Sequence, residues 1–315
     1  MYGRMQLADY LVSNALQINN ACLQRLSELE GELTAQDLRL LTTSTQQLLS
    51  CWQMLHWSVG RVPYRDAVKR LQLADRDLPV LDNPVSRAAE GLLKKNSDTK
   101  TRRTICRTRD VLLGQMTQAR LDPDLAERLA RVFQEESTCW RDYSLFRQIS
   151  DDDLIVNGIV RAYAQGRRRC VHLVADKGAK DGVWNKPRKL KRGLAWVRHS
   201  VNHLELLRPS LSDVNKTRLW YLQKLGMNLV KQCELDEFMS AVAKLDMKAK
   251  SRRRITRVAA EHKQRILKQR QKLFPRCYGV KKGEFLDSIR EDVNTLGLQQ
   301  VVLLPMDKVR SGELG

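Results

Sequence analysis

Between residues 187 and 209 the apolar side chains return at steps of three and four: Leu190, Leu194, Val197, Val201 and Leu204. That period places them on one stripe of an α-helix. Arg188, Lys191, Arg192, Arg198 and His199 fall off the stripe. The sequence therefore predicts a helix with an apolar back and a cationic front, able to pack into a bundle and still offer charge to a partner. A charge run is most often a solvated face, so its weight depends on whether the pattern returns. It does, at residues 100–109, 167–169, 186–198 and 248–272. In the last of these, Arg254, Arg257, Glu261, Arg265 and Lys268 follow helical steps, with Arg253 beside them. Ile255, Val258, Ile266 and Leu273 supply the apolar side.

Helix breakers are sparse, with 16 Gly and 8 Pro in 315 residues, and long segments run without either. That argues for an all-α fold. Helices are predicted over residues 7–33, 36–55, 67–78 and 87–116, the last broken at Asn96-Ser97-Asp98. Thr34 is a candidate cap. Asp122-Pro123-Asp124 reads as the start of a helix running to about residue 147, and Ser150-Asp151-Asp152-Asp153 opens a second half in the same way. The expected organisation is a helical repeat over 1–149, a second and more basic repeat over 150–295, and a tail over 296–315 in which 301–304 could pair as a short strand.

Fifty-six Lys and Arg against 36 Asp and Glu leave a formal net charge of +20. A hydrophobic content of 42% supports a folded core, so the chain is not a disordered basic tail. Such an imbalance strains a compact chain by self-repulsion unless a polyanion neutralises it. Nucleic acid is one candidate. Single-strand binders interleave aromatics with cations, and aromatics are 6% of this chain. Trp184 and Trp196 lie near a basic helix, whereas Trp52, Trp57 and Trp140 sit at apolar spacings and are expected to fill cores. No zinc-finger or RNA-recognition signature is present, and a helix-turn-helix could be hidden among the helices. An acidic protein surface is a further candidate partner. No apolar run reaches membrane-spanning length, and no leader pattern is present at the N-terminus. The seven cysteines are odd in number and none pair as CxxC, which reads as free thiols in a reducing compartment, so the expected location is cytoplasmic.

His199 and His203 stand four apart, a spacing that can hold a metal from one helix face, but no third ligand is evident; they read as cationic or hydrogen-bonding surface residues. Asp151-Asp152-Asp153 and Glu135-Glu136 fall at expected helix ends, where capping accounts for them. There is no phosphate-cradling glycine loop, HExxH or GxSxG. The chain reads as a binding protein with no enzymatic activity, cofactor or metal.

Gly158, Arg161, Tyr163, Gly166, Arg167 and Arg168, then Leu204, Leu206, Leu207, Arg208 and Pro209, resemble the CHAD family, the conserved-histidine α-helical domain. Leu225-Gly226, Asp236, Leu273-Phe274, Lys282 and Phe285 are similar to its later landmarks. Gln36-Asp37-Leu38-Arg39 and residues 74–78 form a fainter copy in the first half. The resemblance implies two antiparallel bundles of about four helices each, related by a pseudo-twofold duplication. It also implies a cationic cavity that holds inorganic polyphosphate, and a cytoplasmic location with polyphosphate granules. No histidine stands at the family's defining position. Gln36 occupies it in the first half. In the second it is Lys191 in an ungapped match, or Asn185 in a gapped one with Arg188, Lys189 and Arg192 following. Arg39 alone survives of the first half's cations. The anion is therefore expected against the second half, on Arg161, Arg167, Arg168, Arg188, Lys189, Lys191, Arg192, Arg198, His199, Arg253, Arg254, Arg257 and Arg265, with Arg102, Arg103 and Arg107 a solvated face.

Overall fold

The structure, a computed structural model, describes residues 6–29, 33–79, 83–94, 96–115, 124–146, 148–174 and 187–296. It is all-α, and among the described residues there is no strand. In chain order the helices are α1 (Leu7–Ser27), α2 (Ala35–Leu55), α3 (Arg61–Asp77), α4 (Pro84–Leu93), α5 (Thr99–Gln115) and α6 (Leu125–Arg141). A 3-10 turn (Tyr143–Leu145) leads to α7 (Asp151–Asp153). That turn runs through a π-helical stretch (Leu154–Val160) into α8 (Arg161–Val174). Then come α9 (Pro187–Leu206), α10 (Asp213–Lys244), α11 (Ala249–Tyr278) and α12 (Lys282–Leu296).

The starts of these helices are written in local chemistry. The Thr34 hydroxyl accepts from the Asp37 N–H, and the Asp37 carboxylate accepts from the Thr34 N–H at 2.9 Å, a capping box that satisfies two otherwise unpaired donors. Asn83 caps α4 with Pro84 in its first turn. Ser150 accepts from the Asp153 N–H at 3.1 Å, as its sequence suggests. Gly60, with φ of 79°, makes the left-handed turn between α2 and α3 that a Cβ would disfavour. Two expectations change. α1 ends at Ser27, before residue 33, and α6 ends at Arg141, because Asp142 leads the chain into the 3-10 turn. Asp122, Pro123, Trp184, Asn185, Lys186 and the tail beyond Leu296 lie outside the described residues.

α1, α2, α3 and α6 pack together around Trp52, Phe133 and Trp140, with the two indoles 4.7 Å apart. α8, α9, α10 and α11 form a second group. The apolar core does not divide at residue 150, since one cluster runs from Leu7 through Trp52 and Val197 to Val293. The π-helical stretch carries Gly158 against α2. A Cβ there would stand 2.9 Å from the Met54 carbonyl oxygen, so only glycine lets the two backbones approach so closely. The helix pair α4 and α5 packs on the second group. Val85, Ala89, Leu92, Ile105 and Leu112 bury against Phe238, Val242, Ile255 and Ala259 of α10 and α11. This crossing brings a basic helix of the first half beside a basic helix of the second.

Candidate polyanion-binding grooves

On α5, Lys100, Arg103 and Arg107 stand at steps of three and four, while Thr101, Ile105 and Leu112 turn inward. One face of α5 is therefore anchored in the core and another is cationic. Across from it α11 begins, and Arg254 reaches back to donate to the Thr104 hydroxyl at 3.4 Å. Between them lies a groove of about 440 Å³, lined by Lys100, Arg103, Arg107 and Arg254 with the hydroxyls of Thr104 and Ser251. Among the described residues Asp246 is its single acid, and no aromatic side chain lines it. Lys100, Arg103 and Arg107 make no ion pair among the described residues. The α11 N-terminus opens beside the groove, and its cap residue Lys248 makes no side-chain bond to the first turn. The positive end of the helix dipole adds to the same field. Gathering four cations around one acid in a concave site focuses positive potential on whatever occupies it.

Two further hollows carry charge. Arg167, Arg168 and Lys282 ring a smaller one of about 340 Å³ beside Tyr163 and Val171. A third groove, about 460 Å³, lies among α2, α4, α9 and α10. Its floor is apolar (Leu194, Val197, Val201, Met227 and Val230) and its charges are Arg198, Lys231 and the Arg87–Glu234 pair at 2.7 Å. Arg198 keeps solvent contact, yet crowding by the groove walls lowers its pKa from the usual guanidinium range, against the pull of Asp75. Thr43 and Gln46 stand where α2 enters this groove, so the first-half motif contributes no cation there.

The structure distributes the remaining sequence candidates. Arg161 lies over the Trp57 ring, 4.5 Å from its centroid. Lys191 pairs with Glu237 at 3.4 Å in an exposed contact. Arg188, Lys189 and Arg192 are exposed on the first turns of α9, as is Arg39 on α2 and Arg253, Arg257 and Arg265 on α11. Arg198 and Arg254 line different grooves.

Three readings are corrected. His199 is not a cationic surface contact. Its Nδ1 lies 3.0 Å from the Ser50 hydroxyl of α2, and burial, then the neighbouring His203 and Arg198, hold its pKa down at about 3. His203 is fully enclosed, with Nε2 at 2.8 Å from the Ser50 carbonyl, and burial lowers it to about 4. Both rings tie α2 to α9 as neutral groups. Glu136 is not a helix-end cap either. It is wholly buried, accepting from Trp52 Nε1 at 2.6 Å and from Arg70 at 2.9 Å. Lastly, Trp57 is exposed and does not fill a core as Trp52 and Trp140 do. Arg103 and Arg107 are exposed, and they line the same groove as Arg254. Arg102 differs from them, bonding the Leu93 and Asn96 carbonyls at the end of α4. That Lys100, Arg103 and Arg107 meet Arg254 was not legible in the sequence, because helical steps show which residues share a face but not which helix that face meets.

All seven cysteines are free thiols. Among the described residues no helix is long and apolar enough to cross a membrane, and no group of His, Cys, Asp or Glu is arranged to hold a metal. No protein-family model, curated protein or solved structure matches the chain.

Proposed function

We propose that this chain is a non-enzymatic polyanion-binding protein, a divergent relative of the CHAD family, and that inorganic polyphosphate is its ligand. The observation that carries the reading is the α5–α11 groove, where Lys100, Arg103, Arg107 and Arg254 face a single acid. Arginine forks match phosphate oxygens in bidentate geometry, and each cation that neutralises a phosphate releases a condensed counterion. The net charge of +20 is the whole-molecule counterpart of that local excess. The absence of any aromatic among the described residues of the groove lining favours a ligand read through its phosphates over one read through stacked bases. A reducing, cytoplasmic setting belongs to the same proposal, supported by the free thiols.

The test is a titration of labelled polyphosphate at two salt concentrations, against duplex and single-stranded DNA as competitors. The variant K100Q/R103Q/R107Q is expected to lose on the order of tenfold or more in polyphosphate affinity, and its salt dependence should flatten. A variant that binds as the parent does would remove the groove from the account. Duplex DNA displacing polyphosphate with ease would make nucleic acid the ligand.

A further inference from the structure

Resting on that anion-binding reading, we propose that α11 is a track for a linear phosphate chain, and that the ligand must be long enough to run from the α5–α11 groove along this helix. Lys250, Arg254, Arg257, Glu261, Arg265, Lys268, Lys272 and Arg276 fall within an arc of about 100° on α11, at 100° per residue. All of them are exposed except Arg254, which is half-buried in the groove. The opposite face, with Ile255, Ala259, Ile266, Leu273 and Cys277, is buried in the core. The stripe thus holds seven cations and one acid. From Arg254 to Arg276 it extends about 33 Å at 1.5 Å per residue.

Helix stability does not account for this face. Lys250 and Arg254, Lys268 and Lys272, and Lys272 and Arg276 are like charges at i, i+4, and Arg254–Arg257 and Arg265–Lys268 are like charges at i, i+3. Such pairs destabilise a helix. Lys250, Arg257, Arg265, Lys268 and Lys272 make no ion pair among the described residues. A solvated face elsewhere in the same molecule looks different: α6 exposes Glu127, Arg131 and Glu135 in alternating sign, with Arg131 and Glu127 paired at 3.9 Å. The α11 stripe also passes through the groove, at Arg254, so an anion seated there meets a line of cations leading away from it, interrupted by Glu261 alone among the stripe residues. A compact anion fills the groove alone. A chain continues along the helix and exchanges more counterions.

The experiment compares tripolyphosphate with polyphosphate whose extended length exceeds about 33 Å. Affinity is measured across a salt series with the full chain and with R257Q/R265Q/K268Q/K272Q. The salt slope is the informative readout, because it counts cations engaged rather than binding registers. Long chains should give the parent a steeper slope than tripolyphosphate does. The four substitutions should reduce the long-chain slope by about three, at roughly 0.7 per lost contact for a single-stranded polyanion, and leave tripolyphosphate binding unchanged. An unaltered long-chain slope in a variant whose melting curve matches the parent overturns the track while leaving the groove intact. Loss of binding to neither ligand in K100Q/R103Q/R107Q overturns the groove, and the track with it. Duplex DNA showing the α11-dependent slope where polyphosphate does not would replace the phosphate chain by nucleic acid.

Discussion

At the scale of single residues, the informative side chains are polar groups that the fold buries wholly, as at His203, or in part, as at His199. His199 and His203 hold pKa values of about 3 and about 4, against an ordinary 6.5, because burial penalises the imidazolium. As pH falls below 6.5 the unfolded chain takes up protons that the folded chain refuses. Stability contributed by the two rings is therefore present above the unfolded value and is lost as pH drops towards 4. Asp236 acts in the opposite sense. Burial raises its carboxyl to about 6, against the pull of Lys263, Gln232 and Arg270, so it adds stability as pH falls from about 6 towards 3.8. Glu136, whose carboxyl burial also raises, acts in the same sense as Asp236. We expect the two histidines to remove stability between pH 6.5 and 4, a gross loss of about 1.4 kcal/mol per pH unit for each, partly offset by the two carboxyls. Denaturant melts across that range should show H203Q with a shallower pH slope than the parent. An identical slope in H203Q would mean the ring titrates normally in the fold. These enclosed groups were also the least legible in the sequence. An i, i+4 histidine pair beside cations looks the same whether it faces water or a neighbouring helix, and only the position of Ser50 on α2 decides.

Elements were far more legible, because they are set by local chemistry. Thr34 and Ser150 cap as their sequence contexts suggest, and the stripe Leu190, Leu194, Val197 and Leu204 is buried. What could not be read was which elements meet. Glu136 lies toward the C-terminal end of α6, where the helix dipole does not favour an acid, and it joins three helices: Trp52 of α2, Arg70 of α3 and its own. Burial pushes its carboxyl up, and Trp52 and Arg70 only partly pull it back, so ionic attraction does not fully offset desolvation at this junction. Removing one partner is nonetheless worse than keeping both, since it leaves the indole N–H without an acceptor and Arg70 with only Glu135 at 3.5 Å and the Cys139 sulfur. E136A should lose about 3–5 kcal/mol of stability, and E136Q, which keeps an acceptor for Trp52, distinctly less. Thermal or denaturant unfolding of the two variants checks this, and equal losses would show that the amide cannot replace the carboxylate. The α5–α11 groove was hidden for the same reason. Its four cations were all visible in the sequence, but only the packing of Ile105 and Leu112 on α10 and α11 brings Lys100, Arg103 and Arg107 to Arg254.

For the molecule as a whole, the governing quantity is a net charge of +20 on a folded core with few compensating ion pairs around its grooves. That charge opposes compaction in the free protein and favours it in a complex, and salt acts oppositely on the two. At about 0.01 M ionic strength the Debye length is roughly 30 Å, so cations along all of α11 repel one another; at about 0.1 M it is roughly 10 Å and only near neighbours do. Adding salt to the free protein should therefore raise its melting temperature. With long-chain polyphosphate in excess, the folded state is stabilised in proportion to the logarithm of ligand concentration over Kd. Salt raises Kd through the lost counterion release, so the melting temperature of the complex should fall along the same series. The two curves are expected to converge as salt increases and to differ most at the lowest concentration. Scanning calorimetry with and without polyphosphate, from low salt to well above physiological ionic strength, measures both. Parallel curves would mean that the ligand does not neutralise the charge that strains the fold. A melting temperature of the free protein that falls with salt would mean that the excess charge is already balanced within the native structure, and the physical case for an anionic partner would lose its foundation.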